Sequence, residues 1–128
     1  EEEDKLRAEP DGRVTVSTAP FANQQAVAAA DLVIVPSTVA GFSFTAMEAM
    51  AQGTAVAMRR TGGLAEMATD HQSGFFFDTD DELLDLLNHL CFKRELVREV
   101  GRAARQRALV DYDLARTVDE TFSLYKAV

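Results

Sequence analysis

Short runs of β-branched and aliphatic residues alternate with stretches whose apolar positions recur every three to four residues, the switch of period that separates strands from helices. Arg13-Val14-Thr15-Val16-Ser17, behind the turn pair Asp11-Gly12, alternates and predicts a strand. Phe21–Ala30, behind Pro20 and rich in Ala and Gln, predicts a helix. Leu32-Val33-Ile34-Val35 is a continuous apolar run ending at Pro36-Ser37, the pattern of a parallel strand buried on both faces. From Thr45 to Gln52, Ala46, Met47, Ala49 and Met50 supply a helical apolar face, and Gly53 stands where a C′ glycine belongs. Ala55–Met58 reads as a strand, Arg59–Gly63 as a loop, Leu64–Thr69 as a short helix, and Gly74–Phe77 as a strand closed by Asp78. About four strands alternating with helices at these spacings imply right-handed βαβ units: an α/β, Rossmann-like, doubly wound parallel sheet.

The last third changes character, with helices expected over Asp80–Lys93, Glu95–Val110 and Leu114–Ala127. Asp80 and Asp81 fall in the first turn of the first, where negative charge suits the helix dipole. Leu83, Leu84, Leu86, Leu87 and Leu90 give it a broad apolar face that includes Cys91, expected as a small core residue. Arg94, Arg98, Arg102 and Arg105, spaced by three and four, read as a solvated face. Met47, Met50, Met58 and Met67 and the run Phe75-Phe76-Phe77 read as core, and His71 as a surface side chain. With 128 residues, 47% of them hydrophobic, the chain is sized for one domain over residues 1–128.

Charge narrows the partners. Thirteen Lys and Arg against 21 Asp and Glu leave a net charge of −8, which argues against non-specific binding to nucleic acid or an anionic membrane. A single cysteine excludes an intramolecular disulfide, no Cys or His spacing suits a metal, and no apolar run is long enough to span a bilayer. A reducing cytoplasm is the expected compartment, or a plastid stroma were the source a plant or alga. The opening Glu1-Glu2-Glu3-Asp4 has no Met and no basic leader, and is expected to be a cut within a longer polypeptide.

In an open α/β sheet ligands bind at the carboxyl ends of the strands, where loops and helix starts present backbone N–H groups to anions. Three loops fit: Pro36–Phe44, leading into a helix with Glu48; Arg59–Leu64, with two glycines that let a backbone approach closely; and Asp70–Gly74. Glu48 is otherwise an exposed helical glutamate, Thr61-Gly62-Gly63 a tight turn needing positive φ, and Arg59-Arg60 a solvent-facing pair rather than phosphate contacts. No Gly-x-x-x-x-Gly-Lys-Ser/Thr loop and no Gly-x-Gly-x-x-Gly fingerprint occurs, and Gly41-Phe42-Ser43-Phe44 falls one residue short of a serine nucleophile elbow.

Ala30–Ser37, Phe44–Thr54, Arg59–Glu66 and Ser73–Phe75 together resemble the C-terminal, nucleotide-sugar domain of GT-B retaining glycosyltransferases. Arg59-Arg60-Thr61-Gly62-Gly63-Leu64 is most similar to bacterial glycogen synthase and plant starch synthase, and Glu48-Ala49-Met50 to the broader group 1 relatives. Asp111–Lys126 resembles the family's last helix, without its tryptophan. The resemblance implies transfer of glucose from ADP-glucose or UDP-glucose to an α-glucan, the nucleotide sugar being a substrate with no cofactor or metal required. It implies that Glu48 holds the ribose, and that Ser43, Phe44 and the turn Thr61, Gly62, Gly63, Leu64 meet sugar and diphosphate through backbone N–H groups. It also implies an N-terminal acceptor-binding domain that this sequence lacks. The family's signature glutamate, separated from the second by seven residues, falls on Ala40, and its glycine on Ser43. A methyl group cannot accept a hydrogen bond from a sugar hydroxyl, so no catalytic residue is assigned. The alternative expectation is a catalytically degenerate domain kept for binding or assembly.

Overall fold

Leu32–Val35 (β1), Ala55–Arg59 (β2) and Phe75–Phe77 (β3) pair in parallel in the order β1-β2-β3, with Leu32 opposite Ala55, Val35 opposite Met58, Ala57 opposite Phe75 and Arg59 opposite Phe77. The structure, a computed structural model, describes residues 23–39 and 41–128; the strand expected over Arg13–Ser17, and Ala40, lie outside them. Around the sheet run Asn23–Ala29 (α1), Phe44–Gln52 (α2), Leu64–Met67 (α3), Asp80–Leu90 (α4), Arg94–Asp111 (α5) and Leu114–Ala127 (α6). This is the expected α/β parallel sheet with a helical last third.

Local chemistry sets the helix ends. Gly53 takes φ 81 and its N–H bonds back to the carbonyls of Ala49 and Met50, a left-handed cap that a residue with a Cβ adopts only under strain. Thr79 caps α4 through the Glu82 N–H, with Asp80, Asp81 and Glu82 in its first turn. The helix stops at Leu90, its one fully buried anchor, and Cys91-Phe92-Lys93 turn into α5. Cys91 is therefore exposed, contrary to the core role expected of it, because the helix ends one residue before it.

Val33, Val35, Val56, Met58 and Phe76 point to a core shared with α1, α2 and α3, whereas Ala55, Ala57, Phe75 and Phe77 meet α4 and the first half of α5. Met50, Met58 and Met67 lie buried and Met47 packs against them, as their spacing predicted. Helix α5 serves both faces: Val100 belongs to the second core, Ala104 and Ala108 to the first. It crosses the start of β2 at Gly101, where a Cβ would stand 2.3 Å from the Gly53 carbonyl oxygen. The expectation that β1 is buried on both faces fails at Ile34, which is 38% exposed. Strand β1 is the edge of the described sheet, and α4 and α5 cover β2 and β3 on that side.

Helix α6 has no buried residue; it is held by its Asp113 cap, an Arg116–Glu120 ion pair of 2.7 Å one turn apart, and Arg116 reaching back to the Val110 carbonyl and Asp111 at the end of α5. Of the arginines on α5, Arg98 and Arg102 pair with Glu95 in solvent, as a solvated face would, while Arg105 donates to the Ala51 carbonyl. Among the described residues no helix is long and apolar enough to cross a membrane.

Candidate nucleotide-sugar site

Because β1 and β2 are parallel neighbours, the segments leaving their carboxyl ends lie side by side. The first runs from Pro36 to Ser43 and the second from Arg60 to Gly63. They touch backbone to backbone: a Cβ built on Gly63 would lie 1.7 Å from the Gly41 carbonyl oxygen. Two side chains, one from the second segment and one from the end of β2, tie down the start of the first, Thr61 Oγ1 donating to the Ser37 carbonyl at 3.1 Å and Arg59 Nε to the Pro36 carbonyl at 3.1 Å.

The turn after β2 is the one expected to need positive φ, and Gly62 supplies it at φ 47. Gly63, at φ −69, is required instead by contact with Gly41. The Thr61 N–H donates to the Arg59 carbonyl and the Leu64 N–H to the Thr61 carbonyl, so both are spent within the turn. Leu64 itself is fully buried. Among the described residues the N–H groups of Gly62 and Gly63 find no such acceptor, leaving them the donors this turn can offer.

Ser43 begins α2. Its Oγ accepts from the Ala46 N–H at 3.1 Å and its φ is −122, so it is an N-cap in extended backbone and has no need to be glycine. The N–H groups of Phe44 and Thr45 open the helix without a preceding carbonyl in the ladder. Ser43→Ala should therefore lower stability by about 1 kcal/mol while Ser43→Gly costs only a few tenths. Denaturant midpoints check this, and equal losses would show that the hydroxyl does not cap. Phe44 is 71% exposed and meets Phe42 edge-on at 5.3 Å; Phe42 in turn meets Tyr112 at 5.7 Å. Burial pushes the Tyr112 phenol above its ordinary range, with Arg107 opposing and Asp111 reinforcing the shift. Glu48, half-buried, lies four residues beyond Phe44 on the same side of α2. Its carboxylate pairs with no described residue.

The two arginines differ: Arg60 faces solvent, as a solvent-facing pair would, whereas Arg59 does not, and both already pair with carboxylates. Arg59 is nearly enclosed, 15% exposed, and also donates to the Asp78 carbonyl at 2.8 Å and Asp80 Oδ1 at 2.6 Å. Arg60 pairs with Asp70 at 3.0 Å and lies over the Phe76 ring. Nothing in composition or spacing distinguished them; the one available signal was a charge closing an otherwise apolar strand. The third loop is a tight turn in which His71, at φ 56, donates its N–H to the Gly74 carbonyl and keeps its side chain 58% exposed. Among the described residues no three His, Cys, Asp or Glu side chains gather to hold a metal. A cavity of about 630 Å³ opens at the other end of the strands, against Asp31, Leu32, Ala55, Leu90, Cys91 and Arg94.

A parallel sheet whose adjacent strand ends carry a glycine turn and a helix start places the chain among α/β proteins that receive ligands at that edge. The chain belongs to the family described as glycosyl transferases group 1, whose sequence pattern matches residues 4–107, and its fold is that of GT-B C-terminal domains. It is 35% identical over 100 residues to D-inositol 3-phosphate glycosyltransferase of Saccharomonospora viridis, covering 77% of this chain and 23% of that protein. It is 32% identical over 88 residues to glycogen synthase of Chlamydia muridarum, covering 69% and 19%. Anabaena HepE, solved in complex with UDP, superposes with a TM-score of 0.77 at 23% identity, covering 81% of this chain and 29% of that one. The chain thus spans less than a third of the length of each of these proteins.

Proposed function

We propose that this chain is the donor-binding part of a retaining glycosyltransferase that takes glucose from ADP-glucose or UDP-glucose, with an α-glucan as acceptor. The observation that carries the donor half is the backbone contact between Gly63 and Gly41, which holds the Gly62-Gly63 N–H groups beside the start of α2. A diphosphate fits this edge because unpaired N–H groups and the positive end of a helix stabilise an anion without needing a cation. Ser43 and Phe44 then offer N–H groups from the helix side, and Thr61 and Leu64 frame the turn from the other. Glu48 accepts from the ribose hydroxyls. The complex of HepE with UDP favours uracil among the two bases, and the likeness to glycogen synthase supports the glucan. The acceptor is held by a partner domain, and the donor enters as substrate with no cofactor.

Titration of UDP, ADP and their glucose conjugates into isotope-labelled protein tests this reading. Saturable amide shifts confined to Ser43–Glu48 and Thr61–Leu64 are expected; no shifts at millimolar ligand would overturn it. Glu48→Ala should weaken nucleotide-sugar affinity by about 1–3 kcal/mol, the worth of charged hydrogen bonds to hydroxyls. Unchanged affinity would remove Glu48 from the site.

A second reading rests on Ala40: a domain of this family that binds nucleotide or partner but no longer transfers sugar. In the longer polypeptide, turnover gained by Ala40→Glu from an inactive parent supports it. High turnover in the parent, left unchanged by that substitution, excludes it.

A further inference from the structure

We propose that Arg59 is a positioning residue for the donor site, its single guanidinium fixing the carboxyl-terminal ends of all three strands so that the two binding segments keep their mutual register. The inference rests on the donor reading above. Arg59 closes β2, the central strand, with its Nε on the Pro36 carbonyl just past β1 and its two terminal nitrogens on the Asp78 carbonyl just past β3 and on Asp80 in the first turn of α4. The guanidinium also lies 5.2 Å from the centre of the Phe77 ring, so its plane is held from below while its edges are held by oxygens.

This arrangement uses what arginine alone provides, a rigid planar fork of donors that meets several acceptors at once. A lysine ammonium at the same place can reach one or two of these oxygens but cannot span all three directions. The first binding segment is then anchored at two consecutive carbonyls, Pro36 by Arg59 and Ser37 by Thr61, before it reaches Gly41 and its contact with Gly63. Both anchors come from β2 and the turn that follows it. Any motion of the first segment relative to Gly62 and Gly63 must break one of them. Because the Arg59 charge is already matched by Asp80, its contribution to an anionic ligand is geometric rather than coulombic.

Arg59→Lys, compared with wild type at a temperature where both are folded, tests this. The nucleotide dissociation constant should rise about tenfold, with ligand-free amide shifts at Ser37, Gly41, Gly62 and Gly63 and unchanged amides in the centre of β2. A lower melting temperature with affinity held within twofold would reduce Arg59 to a fold-stabilising residue and overturn the proposal. Should Arg59→Lys fail to fold, Asp80→Asn releases one arm of the fork from an exposed partner and should shift the same four amides with a smaller loss of affinity; no shift there would overturn it equally. If wild-type protein binds neither UDP nor ADP, the donor reading fails instead. The positioning claim is then read from the ligand-free spectra alone, and shifts limited to the neighbours of residue 59 would refute it.

Discussion

Gly63→Ala should abolish saturable nucleotide binding and lower folding stability by about 3 kcal/mol or more. The backbone at Gly63 has φ −69, which alanine adopts freely, so no conformational strain enters. The loss is steric. The added methyl would stand 1.7 Å from the Gly41 carbonyl oxygen and 2.8 Å from its carbon, and neither is the free end of a side chain that can swing away. The two segments must separate, and with them go the Thr61–Ser37 and Arg59–Pro36 hydrogen bonds that assume their closeness. Gly62→Ala is the control: there the cost is the positive φ, roughly 1–2 kcal/mol. Urea denaturation of the two variants, paired with UDP titration, separates the effects. A Gly63→Ala protein within about 1 kcal/mol of wild type would mean that the segments are not in contact in solution.

Phe75→Ala should be as damaging to stability, about 3–5 kcal/mol, for a different reason. Phe75 is fully buried, facing α4 and α5 from β3, opposite Ala57 of the central strand. It shares a core cluster with Leu86, Leu90 and Val97, so its removal opens a cavity there. Phe92→Ala, with a ring 89% exposed, should stay within about 0.5 kcal/mol. Denaturant midpoints of the pair provide the check, and similar losses would contradict the burial of β3.

Much of this architecture is readable from residues near one another in the chain. The β-branched run at Leu32–Val35, the left-handed cap at Gly53 and the acidic first turn at Asp80 depend on local backbone preference, and all three occur where the sequence placed them. What escaped depends on distant partners. The half-exposure of Ile34 follows from which strands α4 and α5 cover, and the exposure of Cys91 from a helix that stops at its last buried leucine. The same limit applies to the site. A glycine pair after a strand signals a turn, and Gly62 obeys that signal. The need for Gly63 arises 22 positions away at Gly41, and the role of Arg59 comes from oxygens on two distant segments, Pro36 and Asp78–Asp80, so neither leaves a trace in local spacing.

Helix α6 divides the molecule thermodynamically. A helix of 14 residues without buried side chains draws its stability from a cap, the Arg116–Glu120 pair and the reach of Arg116 back to Asp111 and the Val110 carbonyl, near the length at which isolated helices are marginal in water. The sheet and its covering helices are expected to melt as one cooperative unit, since α5 contributes to both cores. The last helix, tied to α5 through Arg116, is expected to fray at a lower free energy than the sheet. A single unfolding free energy is then expected to describe the sheet and α1–α5, while the helicity of α6 follows temperature and salt more gradually.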